Sequence, residues 1–292
     1  MSRKGIKTNR LMDKIQKLKD TATQVRRDIV RMVHEKNSGH PGGSLGCADF
    51  LTALYFEVLN HDAKNFDMDA KEQDLFFLSN GHISAAWYSV LARSGYFPVE
   101  ELKTFRAIGS RLQGHPTTAE NLPGIRIASG SLGQGLSVGL GAALTKKLNG
   151  DKHLVYTLHG DGELQEGQIW EAALFGAQHK VDNLIATVDY NKVQIDGPTS
   201  EVMNLESLEE KWQAFGWKVL KTNGNDMEAL LKTLAEAKAE TGKGQPIVVL
   251  MSTEMGQGVD FMMGTHKWHG VAPNDEQLAD ALSQLESTLQ DY

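Results

Sequence analysis

The 292-residue chain predicts an α/β fold with a mainly parallel sheet and helices on both faces, and three observations predict it. First, short apolar, β-branched-rich runs at 75–78, 153–158, 183–188, 217–220 and 246–251 alternate with helical patterns at 163–180, 208–215 and 227–239. Second, the run at 153–158 is apolar and β-branched-rich and reads as a buried strand, and 183–188 reads as a second. Third, 40% hydrophobic content in 292 residues suffices for one full core, and no Pro/Ser-rich linker or internal repeat divides the chain. The expected organisation is one domain over 1–292, with an amphipathic helix over 1–38 and a C-terminal helix over 274–292.

The flanking elements follow from their own patterns. Arg3, Lys4, Lys7 and Arg10 make a basic start, after which Leu11, Ile15, Leu18, Ala22, Val25, Ile29 and Met32 recur at steps of three or four. Three heptads without a clear charged e/g pattern read as one long amphipathic helix packed within the subunit, ended at 37–39, rather than as a coiled coil. Cys47 is the single cysteine, which excludes an intrachain disulfide; next to Ala48, Phe50, Leu51 and Leu54 it reads as a small core or cap residue. Gly133-x-Gly135 and Gly139-x-Gly141 do not complete G-x-G-x-x-G after a strand. They read instead as the glycine-rich start of a helix that ends near Asn149, lies close to the sheet and presents its first loop to a ring system. At the other end Leu278, Leu282, Leu285 and Leu289 fall on one face of a polar terminal helix.

Composition removes some functions. A formal net charge of −7 argues against nucleic acid as a general partner, and no apolar run reaches the length of a membrane span. The N-terminus carries no hydrophobic signal segment, which favours the cytoplasm.

The chemistry concentrates at 160–193. The strand at 153–158 runs into His159-Gly160-Asp161-Gly162 and then into a helical pattern, so Asp161 and Gly162 are expected where a strand gives way to a helix N-terminus. Free N–H groups there favour a phosphate, and Gly162 lets the backbone approach it. A second strand delivers Asp189, Tyr190 and Asn191 to the same carboxyl edge. Gly-Asp-Gly alone is most often a tight turn. Its spacing to Asn191, one strand-helix-strand unit later, suits a hard cation: a carboxylate, an amide oxygen and a backbone carbonyl, with diphosphate and water completing the shell.

With these residues in place the segment resembles the thiamine diphosphate fingerprint, and the rest of the chain narrows the resemblance to transketolases, from about Asp20 to Pro273. Ser38-Gly39-His40-Pro41-Gly42-Gly43, Ser79-Asn80-Gly81-His82, Gln113-Gly114-His115-Pro116 and Gly130-Ser131-Leu132-Gly133-Gln134-Gly135 look like transketolase motifs in the family's order, and Trp268-His269-Gly270-Val271-Ala272-Pro273 is similar to the family's late His-Gly-x-Pro. The resemblance implies thiamine diphosphate and Mg2+ as cofactors, with Ca2+ or Mn2+ able to substitute. It implies that Asp161, Asn191 and the Val193 carbonyl bind the metal and that the Gly162 amide meets the diphosphate. It further implies His82 and His269 near the diphosphate, Gly130 and Leu132 near the cofactor rings, His40, His115 and His269 around the sugar hydroxyls, and Glu166 at a subunit interface in a proton link between paired sites. Met255 stands where some transketolases carry a lysine near the cofactor.

Independently of the family, an imidazole can donate or accept a hydrogen bond and exchange a proton near neutral pH. One histidine taken alone is more often structural, but His40, His82 and His115 lie in Gly- or Pro-rich loops where binding residues gather. His34, His61, His153, His159, His179 and His266 keep the structural reading, and Met251, Met255, Met262 and Met263 read as packing before a substrate wall.

The resemblance also implies a missing half. In the family a glutamate of a separate pyrimidine-binding domain activates the cofactor, and nothing after Pro273 matches that domain or the family's sugar-phosphate arginines. The expectation is therefore an N-terminal subunit of a split transketolase, transferring a two-carbon ketol unit between sugar phosphates. Its partner would be a C-terminal subunit carrying the pyrimidine-binding domain and its glutamate, in a heterotetramer of two plus two chains. The alternatives are the first subunit of a two-chain 2-oxo-acid dehydrogenase, a non-catalytic cofactor-binding relative and, more remotely, a nicotinamide oxidoreductase.

Overall fold

The computed structural model describes residues 3–292, and their side chains from residue 11 onward; the basic side chains Arg3, Lys4, Lys7 and Arg10 lie outside the described residues. Five parallel strands make the core sheet: β1 Leu75–Leu78, β2 Val155–Gly160, β3 Leu184–Tyr190, β6 Lys218–Asn223 and β7 Ile247–Ser252, in the spatial order β1-β2-β3-β7-β6. Between β3 and β6 in the chain, β4 Val193–Gln194 and β5 Gly197–Pro198 form a separate small hairpin. All five expected strands are present. Their ends shift because pairing decides them: β2 continues to Gly160, which sits opposite Asp189 of β3, two residues past the apolar run.

β3 is buried at every position up to Tyr190, so both faces of the sheet are covered at its centre, whereas in the edge strand β6 only Leu220 is buried. On one side α5 (Gly135–Leu148) packs on β1, β2 and β3 and against α6 (Gly167–Gln178). Gly139 makes that approach possible, since a Cβ there would come 2.5 Å from Thr157 Cγ2 and 3.1 Å from Leu184 Cδ1. A second group consists of α1 (Arg3–Glu35), α2 (Pro41–Gly46), α3 (Ala48–Ala53) with a π-helical turn over Leu54–Val58, α4 (Ser84–Arg93) and α9 (Met227–Glu240). Two further helices, α7 (Thr199–Val202) and α8 (Leu208–Ala214), lie between β5 and β6. Among the described residues no helix is long and apolar enough to cross a membrane.

The terminal helices differ from expectation. α1 ends at Glu35, and its stripe is buried only from Leu18 onward; Leu11 is 51% exposed. From Ala22 to Met32 the apolar positions are fully buried, each such Val or Ile contributing about 1.5–3 kcal/mol. The expected helix over 274–292 is α10, Asp275–Gln284, started by an Asn274 capping box. Beyond it the chain leaves helical geometry because α1 supplies better partners. Arg27 Nη1 donates to the carbonyls of Leu282 (3.1 Å) and Leu285 (2.6 Å), and its Nη2 meets Asp291 at 2.8 Å. Gln24 also donates to Asp291 at 2.7 Å, and the Arg31 guanidinium lies over the Tyr292 ring. Leu289, meant for the same face, is 43% exposed.

Candidate active site

All strands of a parallel sheet end on one edge, so Ser79-Asn80, Gly160-Asp161, Asp189 to Asn191 and Thr253 gather there around a cavity of about 370 Å3. Asp161 and Gly162 do not sit directly at an α-helix N-terminus, as the 163–180 pattern suggests. A 3-10 turn over Gly162–Gln165 comes first, then extended backbone at Glu166, which stands at the N-cap of α6. The reason is Glu163. Instead of projecting from a helix, its carboxylate turns inward, where it accepts from the Ser79 hydroxyl, from Gly133 N–H (2.8 Å) and from Gly160 N–H (3.0 Å), with His159 facing it at 3.7 Å. Desolvation pushes this carboxyl up, but the facing His159 and the donors Ser79 and Gly133 outweigh it and hold it below its ordinary value. One buried side chain thus ties together the loops after β1 and β2 and the loop before α5. Sequence reasoning assigned it no role.

Asp161 is 2% exposed and accepts from Gly162 N–H (2.7 Å) and Lys192 N–H (2.5 Å). Burial, then the neighbouring Asp189 carboxylate, raises its pKa to about 8. Asp189 is raised as well, by burial, although Thr253 and Asn191 donate to it. Cys47, fully buried between α2 and α3, is the small core residue its context predicts, and it is among the groups that hold the Asp189 pKa down. Asn191 Oδ1 accepts from Val193 N–H at 2.9 Å, so Asn191 and Val193 belong to one tight turn beside Asp161.

Two buried acids whose ionisation is resisted together are the electrostatic condition a divalent cation relieves. Among the described residues no group of three or more His, Cys, Asp or Glu side chains is arranged to hold a metal. A cation here would need the mixed set of Asp161 carboxylate, Asn191 amide oxygen and Val193 carbonyl, with oxygen atoms of a ligand completing its shell.

Four histidines from four loops line the same cavity. The His40 ring centroid lies 5.2 Å from His82, 6.1 Å from His115 and 5.6 Å from His269, and His82 stacks on His269 at 5.2 Å. Each loop is fixed by the fold: His40 precedes α2, His82 follows β1, His115 lies in the turn after Gly114, and His269 ends the 3-10 turn His266–Trp268. All four are held toward the neutral form, first by burial: His40 at about 4, His82 well below the ordinary imidazole value, His115 and His269 lowered less. Arg106 adds to this for His40 and His115. Its guanidinium donates to Ser38 Oγ (3.0 Å) and the Gly114 carbonyl (3.3 Å), a Cβ on Gly114 would come 2.7 Å from its Cζ, and its buried Nε has no partner. Neutral imidazoles can accept as well as donate, which suits a polyhydroxylated ligand.

Gly130 and Leu132 line the cavity, as does Glu166, which is exposed. Met255 is 1% exposed and also lines it, so this methionine is wall as well as packing, whereas Met251 and Met262 are core. The structural reading suits His61, which meets Tyr96 Oη (2.9 Å) and the Tyr55 carbonyl (2.8 Å), and His153, paired with Asp151. His159 supports the site through Glu163. Asn80, Arg106 and Glu163 are the members that sequence reasoning passed over; Asn80 stood inside a quoted motif and Glu163 directly after Gly162, while Arg106 carried no signal.

Comparison with known proteins gives a consistent answer. Residues 18–288 match the family model described as transketolase, thiamine diphosphate binding domain. The chain is 40% identical over 267 residues to an apulose-4-phosphate transketolase subunit of Phocaeicola vulgatus, covering 91% of this chain and 92% of that one. It is 39% identical to a 6-deoxy-6-sulfo-D-fructose transketolase subunit of a Clostridium species, covering 92% and 96%. The solved transketolase of Campylobacter jejuni superposes with a TM-score of 0.85 at 36% identity over 95% of this chain, which spans only 44% of that longer protein. The family model, the relatives of matching length and the parallel-sheet edge with its four facing histidines agree: this chain belongs to the transketolase family and comprises its thiamine diphosphate-binding domain.

Proposed function

We propose that this chain is the N-terminal subunit of a two-chain transketolase that transfers a two-carbon ketol unit between sugar phosphates, and that 1–292 acts as one diphosphate-binding domain. The observation that carries the reading is the meeting of His40, His82, His115 and His269 over the Asp161 and Asn191 turn in a single cavity. The relatives of matching length are named as transketolase subunits, which supports a separate partner chain holding the remaining half. A two-plus-two complex with that partner completes the proposal.

In this reading Mg2+ is held by Asp161, Asn191 and the Val193 carbonyl, Gly162 N–H and His82 meet the diphosphate, and Gly130 and Leu132 contact the rings. When bound, thiamine diphosphate supplies the carbanion chemistry. The chain's own residues position it and handle protons: His40, His115 and His269, kept neutral by burial, hydrogen-bond sugar hydroxyls and exchange protons with them. Glu166, exposed where it lines the cavity, stands at a subunit interface in the proton link between paired active sites. The relatives' names put apulose-4-phosphate and 6-deoxy-6-sulfo-D-fructose beside ordinary pentose phosphates as donors to assay.

The test is to purify the chain with its bound partner from native lysate and assay ketol transfer over such a panel, with His115→Ala alongside. Ketol transfer that falls in the variant while cofactor affinity holds supports the reading. A complex that decarboxylates 2-oxo acids and transfers no ketol unit overturns it.

A further inference from the structure

Asn80 is 0% exposed, and neither Nδ2 nor Oδ1 has a hydrogen-bond partner, although both atoms are buried. It occupies the N-cap position of the 3-10 turn Gly81–Ile83 yet makes no capping bond. Leaving a primary amide dry and unpaired costs several kcal/mol on transfer scales, so such a group calls for a partner from outside the chain.

Its neighbours prevent it from finding one inside. Ser79 N–H donates to Leu158 O (2.9 Å), and the Ser79 hydroxyl both donates to Glu163 and accepts from Gly135 N–H (2.9 Å). On the other side a Cβ on Gly81 would run into the Ser129 carbonyl. The backbone on both sides is therefore fixed, and the amide lines the cavity with Gly160, Asp161 and Gly162. Its Nδ2 lies 3.9 Å from where a Cβ of Gly160 would stand, at the turn that leads into Asp161.

We infer that Asn80 is a ligand-binding residue of this site, its Nδ2 donating to the diphosphate end of the cofactor beside Gly162. The inference rests on the functional reading above and adds a residue to it. A primary amide offers two donors without charge, so it can meet a phosphate oxygen next to the Glu163 carboxylate, whose own acceptors are already engaged. A ligand that completes Asn80 also removes the penalty of its unpaired amide.

The experiment uses the complex purified with its partner and measures equilibrium binding of thiamine diphosphate with Mg2+, and of thiamine, to the wild type, Asn80→Ala and Asn80→Asp. Melting of each ligand-free protein accompanies it. The expected results are a loss of about ten- to a hundredfold in thiamine diphosphate affinity for Asn80→Ala, a larger loss for Asn80→Asp through repulsion, and unchanged affinity for thiamine. Ligand-free Asn80→Ala should melt no lower than wild type, because it loses only an unsatisfied amide. If wild type binds thiamine diphosphate and Asn80→Ala binds it within about twofold, or loses thiamine equally, the inference falls alone. If wild type binds none, the functional reading falls and takes the inference with it.

Discussion

Asp161→Asn should stabilise the metal-free protein and, in the same molecule, remove its response to cofactor. The folded-state pKa of Asp161 is about 8, above an ordinary value of 3.8. For an acid raised in this way, the unfolded chain ionises first as pH rises, while the folded chain stays protonated. Folding stability therefore declines from about pH 4 to about pH 8 and is level beyond. At pH 7 the difference amounts to about 1.4 kcal/mol for each of about three pH units, or about 4 kcal/mol. Asparagine never ionises and escapes that cost. It keeps one acceptor for the two donors, Gly162 N–H and Lys192 N–H, and the one left over costs about 1–2 kcal/mol. A net gain of about 2–3 kcal/mol remains at neutral pH, equivalent to about 3–5 °C in melting temperature for a chain of this length.

The assay is thermal melting of wild type and Asp161→Asn in chelator from pH 4 to pH 8, with the difference between them plotted against pH so that other titrating groups cancel. The variant should gain on wild type as pH rises through this window, and Mg2+ with thiamine diphosphate should then raise the melting temperature of wild type alone. A variant that melts at or below wild type at pH 8 would refute the electrostatic account of this site.

Other consequences follow from the same geometry. Glu163→Gln retains one acceptor where Ser79, Gly133 and Gly160 all donate, so it should lose about 2–4 kcal/mol in urea denaturation; a loss under about 1 kcal/mol would show that the three loops do not depend on this carboxylate. Arg106→Met removes a cation that, after burial, depresses His40 and His115; both imidazole titrations followed by NMR should move to higher pH, and unmoved midpoints would exclude the contribution. Gly135→Ala drives a methyl group into the Ser79 side chain and to within 2.8 Å of its Cα, and should cost more than about 2 kcal/mol. Gly141→Ala in the same helix, with nothing within 4 Å, should gain about 0.5–1 kcal/mol; equal effects at the two positions would contradict the packing of α5.

The inner strands were legible in the sequence because burial writes itself as apolar runs, and β2, β3 and β7 lie where those runs predict; the edge strand β6, where only Leu220 is buried, begins in the expected run but continues past it to Asn223. What was not legible came from side chains that overrule a periodic pattern. The 163–180 pattern is helical in its spacing, yet Glu163 at its start finds three donors in the interior, and α6 begins only at Gly167. The 274–292 pattern fails likewise, because Arg27, about 255 positions earlier, takes the carbonyls at the end of α10 and the Asp291 carboxylate.

The site divides along the same line. His40, His82 and His115 could be named because glycine and proline around them mark loops, and Asp161 and Asn191 because they follow two strands one strand-helix-strand unit apart at a parallel sheet's edge; His269 came only from the resemblance of Trp268 to Pro273 to a family motif. Arg106 could not, since its place at the site comes from Ser38, 68 positions away, and from the Gly114 carbonyl that leads to His115. Asn80 is the sharper case: the residue was in view within Ser79-Asn80-Gly81-His82, but its type says only that it can donate and accept. Whether those capacities are already used is decided by Ser79, Gly81 and Ser129 once the chain is folded. A buried amide that the fold has fixed in place and left unpaired is thus information created by folding, and it points outward to whatever completes the cavity.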